Sequence, residues 1–549
     1  MNLFDARNRK VLINHLTSDK YDLIIIGGGI TGAGIALDAV SRGLKVALVE
    51  KSDFASGTSS KSTKLIHGGL RYLKQFEIAL VREVGHERAI VHRLAPHLVK
   101  SERMLLPLIK DGTYGKIMTS VGLMVYDVLA GVEKVDQRKM LTKEETMEKE
   151  PLLHDELIEG GGIYAEYRTD DARLTIEVLK TAVQRGAHII NYVEATDFIY
   201  DEEGKVKGID CIDHLTNQAF ECNASFTISA AGPWVDKLRA KNKSLFGKKL
   251  HPTKGVHIVL PHEKFPVKQS VYFDVPDGRM IFAIPRDRVT YIGTTDTDYF
   301  GDLDDVRTEK KDVQYLIDGV KHIFPDVELK IEDVESSWAG LRPLIEEEGK
   351  SASQLSRKDE IFESQSGLLS IAGGKLTGYR KMAERIIDKL SKRLSEKDHR
   401  IIGPCITESL VLTGGVFKNA KEVRTYESSI KEKVVAKGLD PYYAEYLVGN
   451  YGKQTDEILT IADSIAEKDA EVDLALAELQ WAIENESVHS VLDFFERRTG
   501  RLFFNINTIG KLKEPVLNHL YKTFSWDESR IMQEKQWLDK ELEVASEFT

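Results

Sequence analysis

The strongest constraint on this chain is the run Gly27-x-Gly29-x-x-Gly32, set directly after the apolar segment 21–26 and directly before the helical segment 30–42. Context gives the glycines meaning. In a strand-to-helix turn the first permits the tight bend, the second lets the backbone approach an anion, and the third lets helix and strand pack closely. Amides at the helix N-terminus then face that anion. Gly43 closes the helix, and a second apolar strand, 45–50, ends on Glu50. A βαβ unit of about thirty residues is one dinucleotide-binding half. Glu50 is placed to accept hydrogen bonds from ribose hydroxyls, and its charge opposes the 2′-phosphate of NADP.

After Glu50 the chain runs into Ser56-Gly57-Thr58-Ser59-Ser60-Lys61-Ser62. Small hydroxyl residues of this kind suit a pyrophosphate and a ribityl chain, which favours FAD over NAD. A second glycine-opened helix follows a strand at 368–372: Gly373-Gly374-Lys375, then residues 377–394. A reduced flavin carries negative charge near its pyrimidine edge, and a helix N-terminus beside a lysine stabilises such charge.

At 549 residues the chain exceeds one hydrophobic core, so two or three domains are expected. Strands at 189–200, 206–213 and 220–230 read as a meander returning to the first sheet. A second set, 256–260, 270–275, 280–285 and 288–294, alternates more strongly, with Asp277-Gly278 as a hairpin turn. A helix at 312–324 can cover one face of it. Beyond Pro404 amphipathic helices dominate, as at 427–437, 472–484 and 526–544. The fold class is therefore α/β: a Rossmann-like FAD-binding domain of the glutathione-reductase/D-amino-acid-oxidase type, an antiparallel-sheet substrate domain and a helical C-terminal domain. The division expected is 1–100, 160–250 and 355–398 for the first, 101–159 and 251–354 for the second, and 399–549 for the third.

Composition excludes several functions. With 42% hydrophobic and 30% charged residues, neither a disordered polymer nor a many-span membrane protein is supported. Seventy-six Lys and Arg against 87 Asp and Glu leave a net charge of -11, which disfavours nucleic-acid binding, so any phosphate must be met by a local basic cluster. Cys211, Cys222 and Cys405 have no metal-ligand spacing, so no metal is expected, and their sparseness suits a reducing compartment. Residues 1–21 read as a short amphipathic helix rather than a secretion signal. Segment 117–132 is apolar but carries Asp127 and is too short to cross a bilayer; it reads as a packed helix or as a segment lying on a membrane face.

Residues 24–34, IIIGGGITGAG, and above all 62–73, STKLIHGGLRYL, resemble the FAD-dependent glycerol-3-phosphate dehydrogenases. Ala230-Ala231-Gly232-Pro233-Trp234, Lys254-Gly255-Val256-His257, Gly340-Leu341-Arg342-Pro343-Leu344 and Gly373-Gly374-Lys375-Leu376-Thr377 extend the resemblance to about residue 395. The helical tail fits the family's C-terminal cap, and the absence of a D-x-[DN]-x-[DN]-G calcium loop points to the bacterial form. This resemblance implies non-covalent FAD, contacted by Gly27, Gly29, Ile30, Thr31, Gly32, Glu50, Lys51, Thr58, Ser59, Ser60, Ser62, Lys64, Leu65, His67, Gly68, Val193, Ala231, Gly232, Trp234, Gly374, Lys375, Leu376 and Thr377. It also implies that Arg71, Tyr72, His257, Arg342, Arg357 and Lys375 converge on the substrate. Guanidinium forks suit a phosphate monoester on an acidic chain.

The expected reaction is oxidation of glycerol 3-phosphate to dihydroxyacetone phosphate in glycerol catabolism, by hydride transfer to the flavin. His257, Arg342 and Lys375 are the catalytic candidates, and their roles as base or alkoxide stabiliser are not ranked by sequence. The resemblance implies a membrane quinone as acceptor, a cytoplasmic protein lying against the inner face of the membrane, and is compatible with a homodimer. Competing readings are a glycerol-phosphate oxidase that reduces dioxygen to hydrogen peroxide, an amine or amino-acid oxidase of the same flavin fold, and a non-catalytic flavin-bound sensor or assembly protein.

Overall fold

The computed structural model describes residues 1–67, 78–110, 112, 137–346, 359–465 and 469–548. Gly68, Arg71, Tyr72, Arg357 and segment 117–132 lie outside them.

The first sheet grows from the glycine turn. Strand Lys20–Ile26 pairs in parallel with Val46–Val49 on one side and with Gln218–Ser229 on the other. Strand Leu369–Ala372 extends the parallel core at one edge and His188–Ile190 at the other. Parallel strands are covered on both faces, which is why residues 23–26 and Val46–Val49 are apolar runs without polar alternation. Leu23 and Ile25 join the helices Ile30–Ser41, Asp171–Gln184 and Tyr379–Asp398 in one core, through Ala33, Leu37, Ile176, Leu179 and Ile386. Ile24 and Ile26 face the opposite side, where helix Arg9–Ser18 contributes Leu12 and Leu16. Each such side chain contributes about 1.5–3 kcal/mol on burial.

The segment expected as one strand, 189–200, is two. His188–Ile190 belongs to the parallel core, Tyr192 turns the chain in the left-handed region (φ +56°), and Val193–Tyr200 joins an antiparallel extension with Val206–Asp213.

The second sheet is mixed rather than wholly antiparallel. Strand Leu250–Pro261 pairs antiparallel with Val289–Gly293 and Ser336–Ile345, and Asp277-Gly278 does turn the hairpin from Ser270–Asp274 to Met280–Arg286. Ser270–Asp274 also pairs in parallel with Lys100–Ile109, which carries the sheet on to Ile158–Arg168. Helix Lys310–Ile323 covers one face: Val313, Leu316 and Ile317 pack on Ile258, Val271 and Ile281. The other face is covered by the C-terminal helices, whose Leu479, Phe494, Leu512 and Leu517 pack on Leu106, Val259, Tyr291 and Trp338. A smaller core of their own, around Ile430, Leu447, Tyr451 and Trp481, holds the helices Ala420–Ala436 to Ala470–Glu486 together. Among the described residues no helix is long and apolar enough to cross a membrane.

Candidate functional site

The glycine turn opens onto a cavity of about 630 Å³, within the range of sites that enclose a large organic ligand. Gly27, Gly29, Ile30 and Thr31 form part of its wall, so the N-terminus of the helix borders it. Gly32 stands one turn deeper, where a Cβ would lie 1.9 Å from the Gly27 carbonyl oxygen, so only glycine lets the helix sit this close to the strand. Ser59 fixes the entry of the helix, its Oγ accepting from the Ile30 amide at 2.9 Å.

Glu50 braces the same turn. Its two carboxylate oxygens accept from the amides of Gly28 (2.7 Å) and Ser52 (2.9 Å). Burial pushes its pKa up, while those amides pull the other way. Both oxygens keep a lone pair for a ligand in the cavity. Lys51, Thr58, Val193, Ala231, Gly232 and Trp234 continue the wall, with the Lys51 ammonium 4.3 Å from the Trp234 ring centroid. Gly374, Lys375 and Leu376 also line it, at the start of the helical turn Leu376–Gly378. Glycine backbone, helix-terminal amides, hydroxyls and a carboxylate are the donor set a dinucleotide such as FAD requires, and the described wall fits it.

Other expected contacts face elsewhere. Ser62 Oγ donates to Asp171 at 2.6 Å, and Lys64 Nζ donates to Asp171 at 2.5 Å and to the Ser60 carbonyl at 2.9 Å. Ser60, Ser62 and Lys64 thus anchor the hydroxyl loop to the helix Asp171–Gln184, outside the cavity lining. Leu65 is buried in a short strand paired with Arg168. The His67 carbonyl accepts from Thr377 Oγ1 at 3.3 Å, tying the stretch after Leu65–Ile66 to the second glycine-opened turn beyond the lining.

His257 and Arg342 lie on the second sheet, also outside the lining, although Leu341 and Pro343 on either side of Arg342 are part of it. His257 is buried, its ring stacked on Trp338 at 4.9 Å and 11°, and its Nε2 shares a 3.0 Å hydrogen bond with Thr63 Oγ1. Nδ1 is buried with no hydrogen-bond partner among the described residues. Burial first, then the charges of Arg342 and Lys64, hold the imidazole well below its usual pKa, so it is neutral. Gly293 makes room for the ring, since a Cβ there would meet His257 Cδ2 at 2.0 Å. The Arg342 guanidinium is steered by Asp296 (3.1 Å), Thr294 Oγ1 (2.9 Å) and the Thr295 carbonyl (3.3 Å).

Two parts of the wall were not legible in sequence. Leu303, Asp304 and Val306 form a strap, with Asp304 paired to both Lys51 and Lys237. Ser490, Leu492, Glu496, Arg497, Trp537 and Glu541 come from the C-terminal helices. No spacing or turn signal points to either; only the adjacent buried Arg497 and Arg498 hint that something internal must neutralise them.

Residues 22–380 match the family described as FAD dependent oxidoreductase, and residues 405–531 match the C-terminal domain of alpha-glycerophosphate oxidase. The chain is 50% identical over 542 residues to an aerobic glycerol-3-phosphate dehydrogenase of Staphylococcus haemolyticus (strain JCSC1435), covering 98% of this chain and 97% of that protein. It is 49% identical over 545 residues to that of Bacillus subtilis (strain 168), covering 99% and 98%. The X-ray structure of the glycerol-3-phosphate dehydrogenase from Bacillus halodurans complexed with FAD superposes with a TM-score of 0.84 at 44% identity over 99% of both chains. Glycine oxidase from Geobacillus kaustophilus, at 22% identity and a TM-score of 0.52, shares the fold over 72% of this chain.

Proposed function

Because the chain belongs to the FAD-dependent oxidoreductases, alongside the aerobic glycerol-3-phosphate dehydrogenases, we propose that it oxidises sn-glycerol 3-phosphate to dihydroxyacetone phosphate and passes the electrons to a membrane quinone. The observation that carries this reading is the cavity itself, which runs from the helix N-terminus at Gly29–Thr31 to the second glycine-opened turn at Gly374–Leu376. FAD bound there supplies the hydride acceptor. Amides at Gly29 and Thr31 hold its pyrophosphate, and Lys375 balances negative charge on the flavin.

The substrate phosphate is held by the Arg342 fork together with Arg71 and Arg357, because an acidic chain must gather its cations locally. Tyr72 joins them from the same motif as Arg71. His257 accepts the proton of the carbon-2 hydroxyl at Nδ1, since Nε2 is occupied by Thr63. A neutral imidazole has that lone pair free, and a phosphate dianion beside Arg342 offsets the positive charge that otherwise weakens the base. A quinone acceptor goes with a cytoplasmic protein held peripherally at the inner face of the membrane, and a homodimer fits this arrangement.

Anaerobic titration with glycerol 3-phosphate tests the core of the reading. The flavin absorbance of the purified holoprotein bleaches on addition of one equivalent; an unchanged spectrum overturns it. One second reading has a specific observation behind it, the match of residues 405–531 to an oxidase's C-terminal domain. Hydrogen peroxide formed in air, against reduction of a quinone analogue, separates the two acceptors.

A further inference from the structure

The cavity has a wall that the glycine turns do not build. Trp537 and Glu541, on helix Glu528–Ser546, and Arg497, on the segment Asp493–Arg498, all border it. Buried charge fixes this wall in place. Arg497 Nε donates to Asp53 at 2.6 Å and its Nη2 to Asp493 at 3.2 Å. Arg498 donates to both oxygens of Asp53, at 2.7 and 2.9 Å. Asp53 itself lines the cavity three residues beyond Glu50, and Tyr192, another lining residue, donates its hydroxyl to Asp493 at 2.5 Å.

From this arrangement we infer that the C-terminal helical domain is an integral part of the FAD site: Trp537 contacts the bound dinucleotide, and the Asp53–Arg497 pair couples dinucleotide binding to docking of that domain. The inference rests on the reading that the cavity holds FAD. Trp537 is 37% exposed, so its indole offers the cavity an aromatic surface that a ligand can cover. A ligand gripped by two domains binds only their docked form, so each of docking and binding strengthens the other. Losing one partner of a buried charge cluster such as Asp53–Arg497–Arg498 upsets its balance and opposes docking.

The test uses the full-length chain stripped of FAD and titrated with it. Trp537→Ala weakens FAD binding by about tenfold or more, the scale of a lost aromatic wall against a planar ligand, and Trp537→Phe recovers most of the affinity. In the wild type, adding FAD slows hydrogen exchange along Glu528–Ser546, and in Arg497→Gln this protection is reduced. Since Arg497→Gln disturbs a buried pair and can fail to fold, Trp537→Ala at its partly exposed position keeps the question decidable. Affinity within twofold of wild type in Trp537→Ala, or exchange in Glu528–Ser546 indifferent to FAD, overturns the inference. Failure of the wild type to bind FAD at all instead removes the underlying reading.

Discussion

The two walls of the cavity are made of different material. Against the first sheet the wall is mostly backbone, with Gly27, Gly29 and the start of helix Ile30–Ser41 presenting amides that need no side chain to aim them. Against the C-terminal helices it is long side chains, Glu541, Glu496 and Arg497, the last positioned by the buried Asp53 and paired with Glu496. A backbone wall depends on the absence of side-chain atoms at a few positions. A side-chain wall depends on charge balance over many residues, with Asp53, Glu486 and Asp493 facing Arg173, Arg497 and Arg498. The first fails sterically and the second electrostatically.

The largest effect on cofactor binding is expected on the backbone wall. Gly32→Val places carbon against the Gly27 carbonyl and forces the helix off the strand; overpacking of this kind costs at least about 1–3 kcal/mol, and the purified protein should be colourless. On the opposite wall, Asp53→Ala leaves two buried guanidiniums without their shared carboxylate. A loss of about 3–5 kcal/mol is expected for breaking a buried pair, read as a lower denaturant midpoint; an unchanged midpoint means the charge web does not hold this wall.

Acidity separates two buried groups that titrate in opposite senses. His257 is neutral when folded, whereas its unfolded imidazole takes up a proton near pH 6.5, so this residue costs stability as pH falls below that value. Asp493 is pushed up to about 7, by burial first and then by Asp53, so the folded protein keeps a proton that the unfolded chain releases near 3.8. Its cost therefore grows as pH rises from 3.8 through 7. Melting temperatures between pH 5 and 8, a window set by these two pKa shifts, should rise with pH more steeply in Asp493→Asn than in the wild type, and less steeply in His257→Gln. The smallest effect belongs to the strap, where Lys51 and Asp304 are exposed by 32% and 48% at the side chain. Lys51→Ala is expected to change stability by no more than about 1 kcal/mol, and a larger loss in thermal unfolding would show that the strap bears on the fold.

What could be read in sequence follows the same division. The βαβ unit was legible because buried parallel strands are plain apolar runs and because the turn between them needs glycine at fixed spacing. The hairpin at Asp277-Gly278 was legible because the turn is local. The parallel pairing of Lys100–Ile109 with Ser270–Asp274 was not, since nothing local records a partner so distant in the chain. Among the hydroxyl residues, composition marked the loop but not its facing: Thr58 and Ser59 line the cavity, while the Ser62 hydroxyl is turned to Asp171 and that of Ser60 to the Gly57 carbonyl. The same limit hid the C-terminal wall, because a helix heptad does not say which distant carboxylate its arginine will find.

The dual coverage of the second sheet has a consequence for how the protein is made. Until helices beyond residue 470 leave the ribosome, Leu106, Val259, Tyr291 and Trp338 of the nascent chain lack most of their described apolar cover on that face. At a synthesis rate of roughly 5–20 residues per second, residues 399–549 take about 8 to 30 seconds to appear. During that interval an uncovered sheet face and a cofactor pocket without its C-terminal wall coexist on one unfinished polypeptide, which makes this stretch of translation the period when chaperones matter most.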